Sequence, residues 1–186
     1  MILFEKNNQF NIANIITYLN ITMGIIAISF IVKNDFYTAI ILAWIAGIFD
    51  ILDGKIARKF NLSTEFGIQL DSFADFISFV IVPSFLLFYA IQKNIYLSNI
   101  EELILSFTFI WYIISGLRRL IIFNLKVDVG EVEKYFEGVT TPLGAILLWI
   151  IYLFLSYQII ENIYTIILLV FIIAYSLNSK IKIRHP

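Results

Sequence analysis

The chain has 186 residues, a formal net charge of −1 and a hydrophobic share of 60%, with a mean hydropathy of +0.89. A chain this apolar has too little polar surface to cover a soluble core, so the composition predicts an integral membrane protein. The near-neutral charge gives no reason to expect a nucleic-acid partner, and the absence of cysteine excludes disulfides and cysteine-based metal or redox sites.

The N-terminal segment precedes any long apolar run. Residues 1–12 mix Leu3, Phe4 and Phe10 with charged and amide side chains. This composition fits a short helix lying along the membrane surface, and it also fits a disordered tail. The segment lacks the basic start and the small-residue cleavage site of a signal peptide.

Six apolar runs follow, each long enough to cross a hydrocarbon core of about 30 Å. They cover residues 15–32, 37–57, 66–92, 102–123, 140–157 and 162–178. The breaks between them are short and polar, with no linker that would separate a second domain. The pattern therefore predicts an all-α polytopic fold with six transmembrane helices, forming a single membrane domain over residues 1–186.

The placement of lysine and arginine predicts the orientation. Six crossings put both termini on one side of the membrane. Of the 13 basic residues, all but Lys33 and Lys93 lie on that side. Because positive charge is retained in the cytoplasm, we expect both termini and the polar turn around residues 58–65 to be cytoplasmic.

Four aspartates interrupt the second and third apolar runs close to this cytoplasmic turn. Asp50 and Asp53 are three residues apart, and Asp71 and Asp75 are four apart, so each pair shares one helix face. Ionisable residues inside membrane spans are costly and usually functional. Two helices joined by a short turn would direct all four carboxylates at one point.

Four carboxylates in one pocket repel one another unless cations neutralise them, and Lys55 and Arg58 cannot balance all four. Oxygen ligands favour hard divalent ions such as Mg²⁺, Mn²⁺ or Ca²⁺. The number of carboxylates suits two such ions, an arrangement used in phosphoryl chemistry. The sole histidine, His185, lies in the C-terminal tail, which argues against zinc. A polar clamp between helices and an ion pathway are the alternatives.

Small and polar residues surround the aspartates. Gly54, Ala57 and Gly67 would let a ligand or a helix approach the backbone closely. The Arg58 guanidinium can donate two hydrogen bonds to a phosphate. The Ser63–Thr64 pair can cap the next helix or contact a ligand head group.

In order, these residues read D-x-x-D-G-x-x-A-R-x8-G-x3-D-x3-D from Asp50 to Asp75. The pattern resembles the signature of the CDP-alcohol phosphatidyltransferases at every fixed position, and the six predicted spans resemble the fold of that family. The resemblance implies that Asp50, Asp53 and Asp71 bind one divalent ion and that Asp50, Asp71 and Asp75 bind a second. It also implies that Asp75 is the general base.

The resemblance further implies a CDP-lipid site built from six positions: Asn14, Thr17, Gly54, Arg58, Thr64 and Gly67. Gly54 and Arg58 would contact the diphosphate. Asn14 and Thr17, with Asn20, would lie near the cytidine, although Ala13 stands where the family often has proline. Helix capping at the membrane surface is the alternative for Asn14 and Thr17.

Two later stretches resemble those of the serine-using members of that family. The stretch 115–125 contains R-L-x-x-F-N, ending at Asn124, and the stretch 135–145 contains F-x-G-x-x-T-P, ending at Pro142. There are two departures, because Ile122 stands where many members have a second arginine and Thr140 where they have proline. We expect the acceptor to be bound by Arg118, Arg119 and Asn124, with Lys126, Tyr135 and Thr141 as lesser candidates. Ordinary anchoring at the membrane surface is the alternative for the two arginines.

The expected reaction is transfer of a phosphatidyl group from a CDP-lipid, diacyl or archaeal ether, to L-serine with release of CMP. The resemblance also suggests a homodimer. Glycerol 3-phosphate and inositol phosphate are the alternative acceptors, and more basic residues would be expected for either. A metal-ion transporter and a non-catalytic scaffold are the alternatives from other classes.

Overall fold

The computed structural model describes residues 2–6, 8–126, 135–179 and 182–184, and for Ile2, Lys126, 135–137 and 182–184 it describes the backbone alone. Over these residues the fold is almost wholly α-helical, which confirms the predicted fold class. The contacts group the chain into two compact units, Met1–Ser78 and Phe79–Pro186. The boundary between the units falls inside one continuous helical stretch, Glu65–Asn94. The single membrane domain over residues 1–186 stays a prediction.

The first unit holds three helices that begin at polar capping residues. They are α1 (Ile12–Val32), α2 (Phe36–Lys59) and α3 (Glu65–Asp75). The side chains of Asn11, Asp35 and Thr64 accept hydrogen bonds from backbone N–H groups in the first turns, which a helix start otherwise leaves unpaired. Helix α1 packs against both α2 and α3 and so forms their common wall.

The turns between these helices depend on asparagine. Asn34 has a φ of 59° before α2, and Asn61 has a φ of 54° before α3. Asparagine tolerates this left-handed region better than most residues. At the start of α2, hydrogen bonds from the Thr38 side chain and backbone N–H lower the pKa of the Asp35 carboxyl. The short connection 60–64, which contains Asn61, joins the two helices that carry the four aspartates.

A π-helical segment, Phe76–Ile81, follows Asp75 directly and leads into α4 (Val82–Asn94). Together with α3 it forms one helical stretch of 30 residues, Glu65–Asn94. Pro83 lies in the first turn of α4. Proline lacks an N–H and clashes with the carbonyl four residues earlier, so the wider π turn occurs where a regular α-helix could not continue unchanged.

The second unit contains α4, α5 (Asn99–Lys126), α6 (Thr141–Ser156) and α7 (Ile163–Leu177). Helix α5 packs on α7, and α4 packs on α6, around the buried side chains of Tyr112, Leu148 and Ile166. Two strands of three residues each, β1 (Tyr135–Glu137) and β2 (Lys182–Arg184), pair antiparallel with Phe136 opposite Ile183. These strands are too short to produce a recognisable alternation in the sequence.

Helix length and composition support the predicted membrane location. Four stretches are long and apolar enough to cross a membrane: Ile12–Val32, Phe36–Lys59, Glu65–Asn94 and Asn99–Leu125. Large apolar side chains such as Trp44 and Phe107 are exposed on them, as lipid-facing residues are. Helices α6 and α7 are apolar but shorter, with 16 and 15 residues. The chain is thus a polytopic membrane protein, while the count of six crossings stays a prediction.

The described part of the N-terminal segment is too short in helix to form the predicted interfacial helix. Its described part forms one 3-10 turn, Ile2–Phe4, and the Phe4 ring meets the Phe60 ring edge-on at 5.1 Å between centroids. Helix α1 starts only at Ile12. The predicted interfacial helix is therefore limited to this single turn.

Gly116 offers a test of the packing within the second unit. A Cβ placed there would lie 2.7 Å and 2.8 Å from the two methyl carbons of Val80. We expect Gly116→Ala to lower the free energy of unfolding by about 1–3 kcal/mol through overpacking, seen as a lower thermal midpoint in detergent. Adding Val80→Ala should restore most of the loss, and a double variant no better than Gly116→Ala would contradict this contact.

Candidate functional site

The four predicted aspartates come together between α2 and α3. One carboxylate oxygen from each of Asp50, Asp53 and Asp71 lies within 4.8 Å of the others. The Asp75 carboxyl is within hydrogen-bonding reach of Asp50. We call these four residues the aspartate cluster, and the helical spacing in the sequence predicted their convergence.

Asp53 shows why the cluster suits a cation. Its side chain is 3% exposed, and its buried Oδ2 has no hydrogen-bond partner. The Thr17 hydroxyl reaches the same carboxyl group from α1. Buried carboxylate oxygens are normally hydrogen-bonded, paired with a charge or bound to a metal. Three converging carboxylates with such an oxygen among them form a donor set that could hold a hard divalent ion.

A cavity of about 190 Å³ lies beside the cluster, bordered by α1, α2, the connection 60–64 and α3. All six residues predicted to bind the CDP-lipid line it, together with two of the aspartates; the full lining is Ala13, Asn14, Thr17, Asp53, Gly54, Ala57, Arg58, Leu62, Ser63, Thr64, Gly67, Ile68 and Asp71. Six of the eight fixed residues of the sequence signature thus line one concave site.

Arg58 and Gly54 form the α2 side of this cavity. A Cβ at Gly54 would lie 3.7 Å from Nη1 and 3.8 Å from Nη2 of Arg58. The guanidinium therefore lies over the glycine, one turn along the same helix. This places a cation next to exposed backbone, a combination suited to a phosphate oxygen.

The first turn of α3 forms the opposite side. The Gly67 N–H donates to the Thr64 hydroxyl at 3.0 Å, so Thr64 caps the helix. Capping was one of the two roles predicted for this position. A Cβ at Gly67 would lie 3.1 Å from Asn14 Oδ1 and 3.3 Å from Thr64 Oγ1. Glycine is needed here for the close approach of α1 and α3, and the helix N-terminus favours an anion in the cavity.

Asn14 and Thr17 combine capping contacts with positions on the cavity wall. The Asn14 backbone N–H donates to Asn11 Oδ1 at 3.0 Å, and its side-chain amide donates to the Gln9 carbonyl at 3.1 Å. The Thr17 hydroxyl donates to the Ala13 carbonyl at 3.2 Å. The capping alternative therefore describes real contacts, and both side chains still border the cavity.

Asn20 and Ser78 add contacts that the motif does not include. The Asn20 amide nitrogen donates to Asp50 Oδ1 at 3.4 Å, and Asn20 Oδ1 accepts from the Ser78 hydroxyl at 2.6 Å. Asn20 was expected near the cytidine, but it is not among the residues that line the cavity. Sequence reasoning missed Ser78, whose only signal is a polar residue in an apolar run three positions after Asp75.

In the second unit, the two predicted acceptor stretches meet at the C-terminal end of α7. Arg118 Nη1 donates to Asn178 Oδ1 at 2.8 Å, and Arg119 Nη1 donates to the Leu177 carbonyl at 3.3 Å. Gly138, with a φ of 75°, packs so closely that a Cβ would lie 2.7 Å from the Ser179 carbonyl oxygen. Cationic side chains stabilise a helix C-terminus, so both arginines have a structural partner there.

The remaining acceptor candidates lie on α5, β1 and α6. Thr141 is buried in the first turn of α6, and Asn124 lies near the end of α5. The side chains of Lys126 and Tyr135 lie outside the described residues. A role for any of these residues in acceptor binding stays a prediction.

The convergence of the four signature aspartates beside one cavity defines a class of protein. The model of the CDP-alcohol phosphatidyltransferase family matches residues 10–176, and the chain belongs to this family. The family predicted from the signature is thereby confirmed.

Relatives in three organisms carry one name, CDP-diacylglycerol–serine O-phosphatidyltransferase. The protein from Methanocaldococcus jannaschii is 32% identical over 146 residues, covering 78% of this chain and 62% of the relative. The Helicobacter pylori protein is 28% identical over 174 residues, covering 93% and 70%. The Bacillus subtilis protein is 32% identical over 111 residues, covering 60% and 59%. The chain thus spans about 60–70% of the length of these relatives.

The two signature glycines should differ in what alanine does to stability. At Gly67 the added methyl group crowds Asn14, so we expect Gly67→Ala to cost about 1 kcal/mol. At Gly54 the nearest atoms are at ordinary contact distance on a flexible arginine, and alanine favours the helix, so Gly54→Ala should be neutral or stabilising by up to about 1 kcal/mol. Thermal unfolding of both variants checks this, and equal midpoints would contradict it.

Proposed function

We propose that the protein transfers a phosphatidyl group from a CDP-lipid to L-serine and releases CMP. The observation that carries this proposal is the aspartate cluster, which lies beside a cavity lined by all six predicted CDP-lipid residues. The choice of serine rests on the names of the relatives and on the stretches 115–125 and 135–145.

In this proposal the aspartate cluster holds two divalent cations, Mg²⁺ or Mn²⁺, with Ca²⁺ as a further candidate. Asp50, Asp53 and Asp71 hold the first, and Asp50, Asp71 and Asp75 the second. When bound, the ions stabilise the charge on the diphosphate and on departing CMP. The unpartnered Oδ2 of Asp53 supports this assignment.

The nucleotide half of the substrate would occupy the α1–α3 cavity. Asn14 and Thr17 would face the cytidine. Arg58, the backbone at Gly54 and the first turn of α3 would hold the diphosphate by charge and N–H groups. These contacts fix the leaving group, so the lipid-bearing phosphorus presents its opposite face to an incoming hydroxyl.

Asp75 would act as the general base. Its carboxylate accepts the proton of the serine hydroxyl, and the serine oxygen forms a bond to the lipid-bearing phosphorus. The bond from that phosphorus to the CMP oxygen breaks at the same time. The products are phosphatidylserine and CMP, and the proton remains on Asp75 until solvent removes it.

The acceptor residues proposed from the resemblance are Arg118, Arg119 and Asn124, with Lys126, Tyr135 and Thr141 beside them. An arginine has several N–H donors, so the contacts of Arg118 and Arg119 with the end of α7 are compatible with binding a carboxylate. We further propose that the site and both termini face the cytoplasm and that the protein is a homodimer.

A transfer assay with a choice of acceptors tests the proposed function. Purified protein in detergent receives CDP-diacylglycerol or a CDP-activated archaeal ether lipid, with L-serine, glycerol 3-phosphate or inositol phosphate. We expect CMP release with serine when Mg²⁺ or Mn²⁺ is present and none with EDTA. CMP release with glycerol 3-phosphate but not with serine would overturn the assignment of serine as the acceptor. No CMP release with any alcohol, together with metal flux in proteoliposomes, would favour the transporter.

Asp75→Asn tests the base. The amide keeps the shape of the side chain but cannot accept the proton, so we expect turnover to fall by about 10²-fold or more, with CDP-lipid binding largely retained. Asp35→Asn is the matched control, because Asp35 caps α2 outside the cluster and asparagine caps equally well. Near-normal turnover of Asp75→Asn would refute the assignment.

A further inference from the structure

A buried polar chain connects the aspartate cluster to the π-helical segment. Asn20 is fully buried on α1, and Ser78 is 4% exposed in the segment Phe76–Ile81. The Ser78 hydroxyl donates to Asn20 Oδ1 at 2.6 Å, and the Asn20 amide nitrogen donates to Asp50 Oδ1 at 3.4 Å. A residue outside the family signature therefore acts on a cluster carboxylate through one intermediate.

Ser78 differs in its partner from five other serines in the described helices. Five of them donate to a carbonyl three or four residues earlier in their own helix: Ser29, Ser84, Ser106, Ser156 and Ser176. That is the usual contact of a helical serine. Ser78 instead bonds to a side chain on another helix, from a π-helical turn of the kind that often occurs at functional sites.

The chemistry of the three groups fixes the direction of the chain of hydrogen bonds. An ionised carboxylate only accepts, so the Asn20 NH₂ group must face Asp50. The Asn20 oxygen then faces Ser78, whose hydroxyl donates to it. Without that hydroxyl, the Asn20 oxygen loses the donor that holds the amide in a fixed orientation towards Asp50. One oxygen of Asp50, Oδ1, is thus held by the amide.

We propose that Ser78 and Asn20 are positioning residues for Asp50 and that they set the cation affinity of the aspartate cluster. This inference rests on the proposed function, because it assumes that the cluster binds a divalent ion. Hydrogen-bond partners behind a metal ligand commonly tune affinity in this way, by fixing its orientation.

The test is Mn²⁺ binding to the purified 186-residue chain in detergent, measured by electron paramagnetic resonance without any lipid substrate. We expect Ser78→Ala to weaken Mn²⁺ binding by about tenfold. Ser84→Ala is the matched control, because Ser84 is a buried serine that donates to the carbonyl of Val80. We expect its Mn²⁺ affinity to stay within about twofold of wild type.

Further variants separate positioning from folding. Ser78→Cys keeps the size of the side chain with a weaker donor, so its affinity should fall between wild type and Ser78→Ala. Asn20→Ala should weaken Mn²⁺ binding at least as much as Ser78→Ala. If Ser78→Ala does not fold, the Ser78→Cys comparison decides, and an affinity equal to wild type there overturns the proposal.

The outcomes also distinguish this inference from the proposed function. Mn²⁺ binding that Asp71→Asn weakens, with equal affinities in Ser78→Ala and Ser84→Ala, overturns the positioning pair and leaves the metal site in place. Mn²⁺ binding that Asp71→Asn does not change overturns the metal site and the pair together. The thermal midpoints of Ser78→Ala and Ser84→Ala, measured without Mn²⁺, should fall by similar amounts if both variants fold normally.

Discussion

The repulsion among carboxylates held within 4.8 Å of one another is the constraint on which the first unit depends. Helices α2 and α3 can bring the aspartates together only if other groups offset that repulsion. Helix α1 supplies a neutral donor, the Asn20 amide, to Asp50. Arg58 lies over Gly54 at the cavity edge and supplies charge. One buried oxygen of Asp53 has no protein donor, and a divalent ion would complete the balance.

The second unit shows a different organising principle, built around the C-terminus of α7. Backbone carbonyls there accept hydrogen bonds from the Arg119 guanidinium and from the N–H of Val139. The Asn178 side chain accepts from Arg118 and donates to the carbonyl of Ser115. The stretches 115–125 and 135–145 thus meet at one helix end. Their resemblance to the serine-using members of the family suggests an acceptor role, and their contacts show a structural one as well.

Part of the fold and of the candidate site could be predicted from the sequence, because the spacing and the type of residues indicate them. The spacing of Asp50, Asp53, Asp71 and Asp75 predicted their convergence, and Thr64 was predicted as a possible cap. Other features had no such signal. The contact between Ser78 and Asn20 joins residues far apart in the chain, the π-helical turn has no composition of its own, and three-residue strands are too short to show alternation. The arginine contacts depend on where α7 ends, which hydrophobicity alone does not determine.

We propose that the aspartate cluster is a divalent-cation site next to a nucleotide cavity. Anomalous scattering from crystals grown with Mn²⁺ and CDP tests it most directly, because the ion and the diphosphate are located independently. We expect a Mn²⁺ peak among Asp50, Asp53 and Asp71, with the CDP diphosphate beside Arg58. Bound CDP without any Mn²⁺ peak at these aspartates would contradict it.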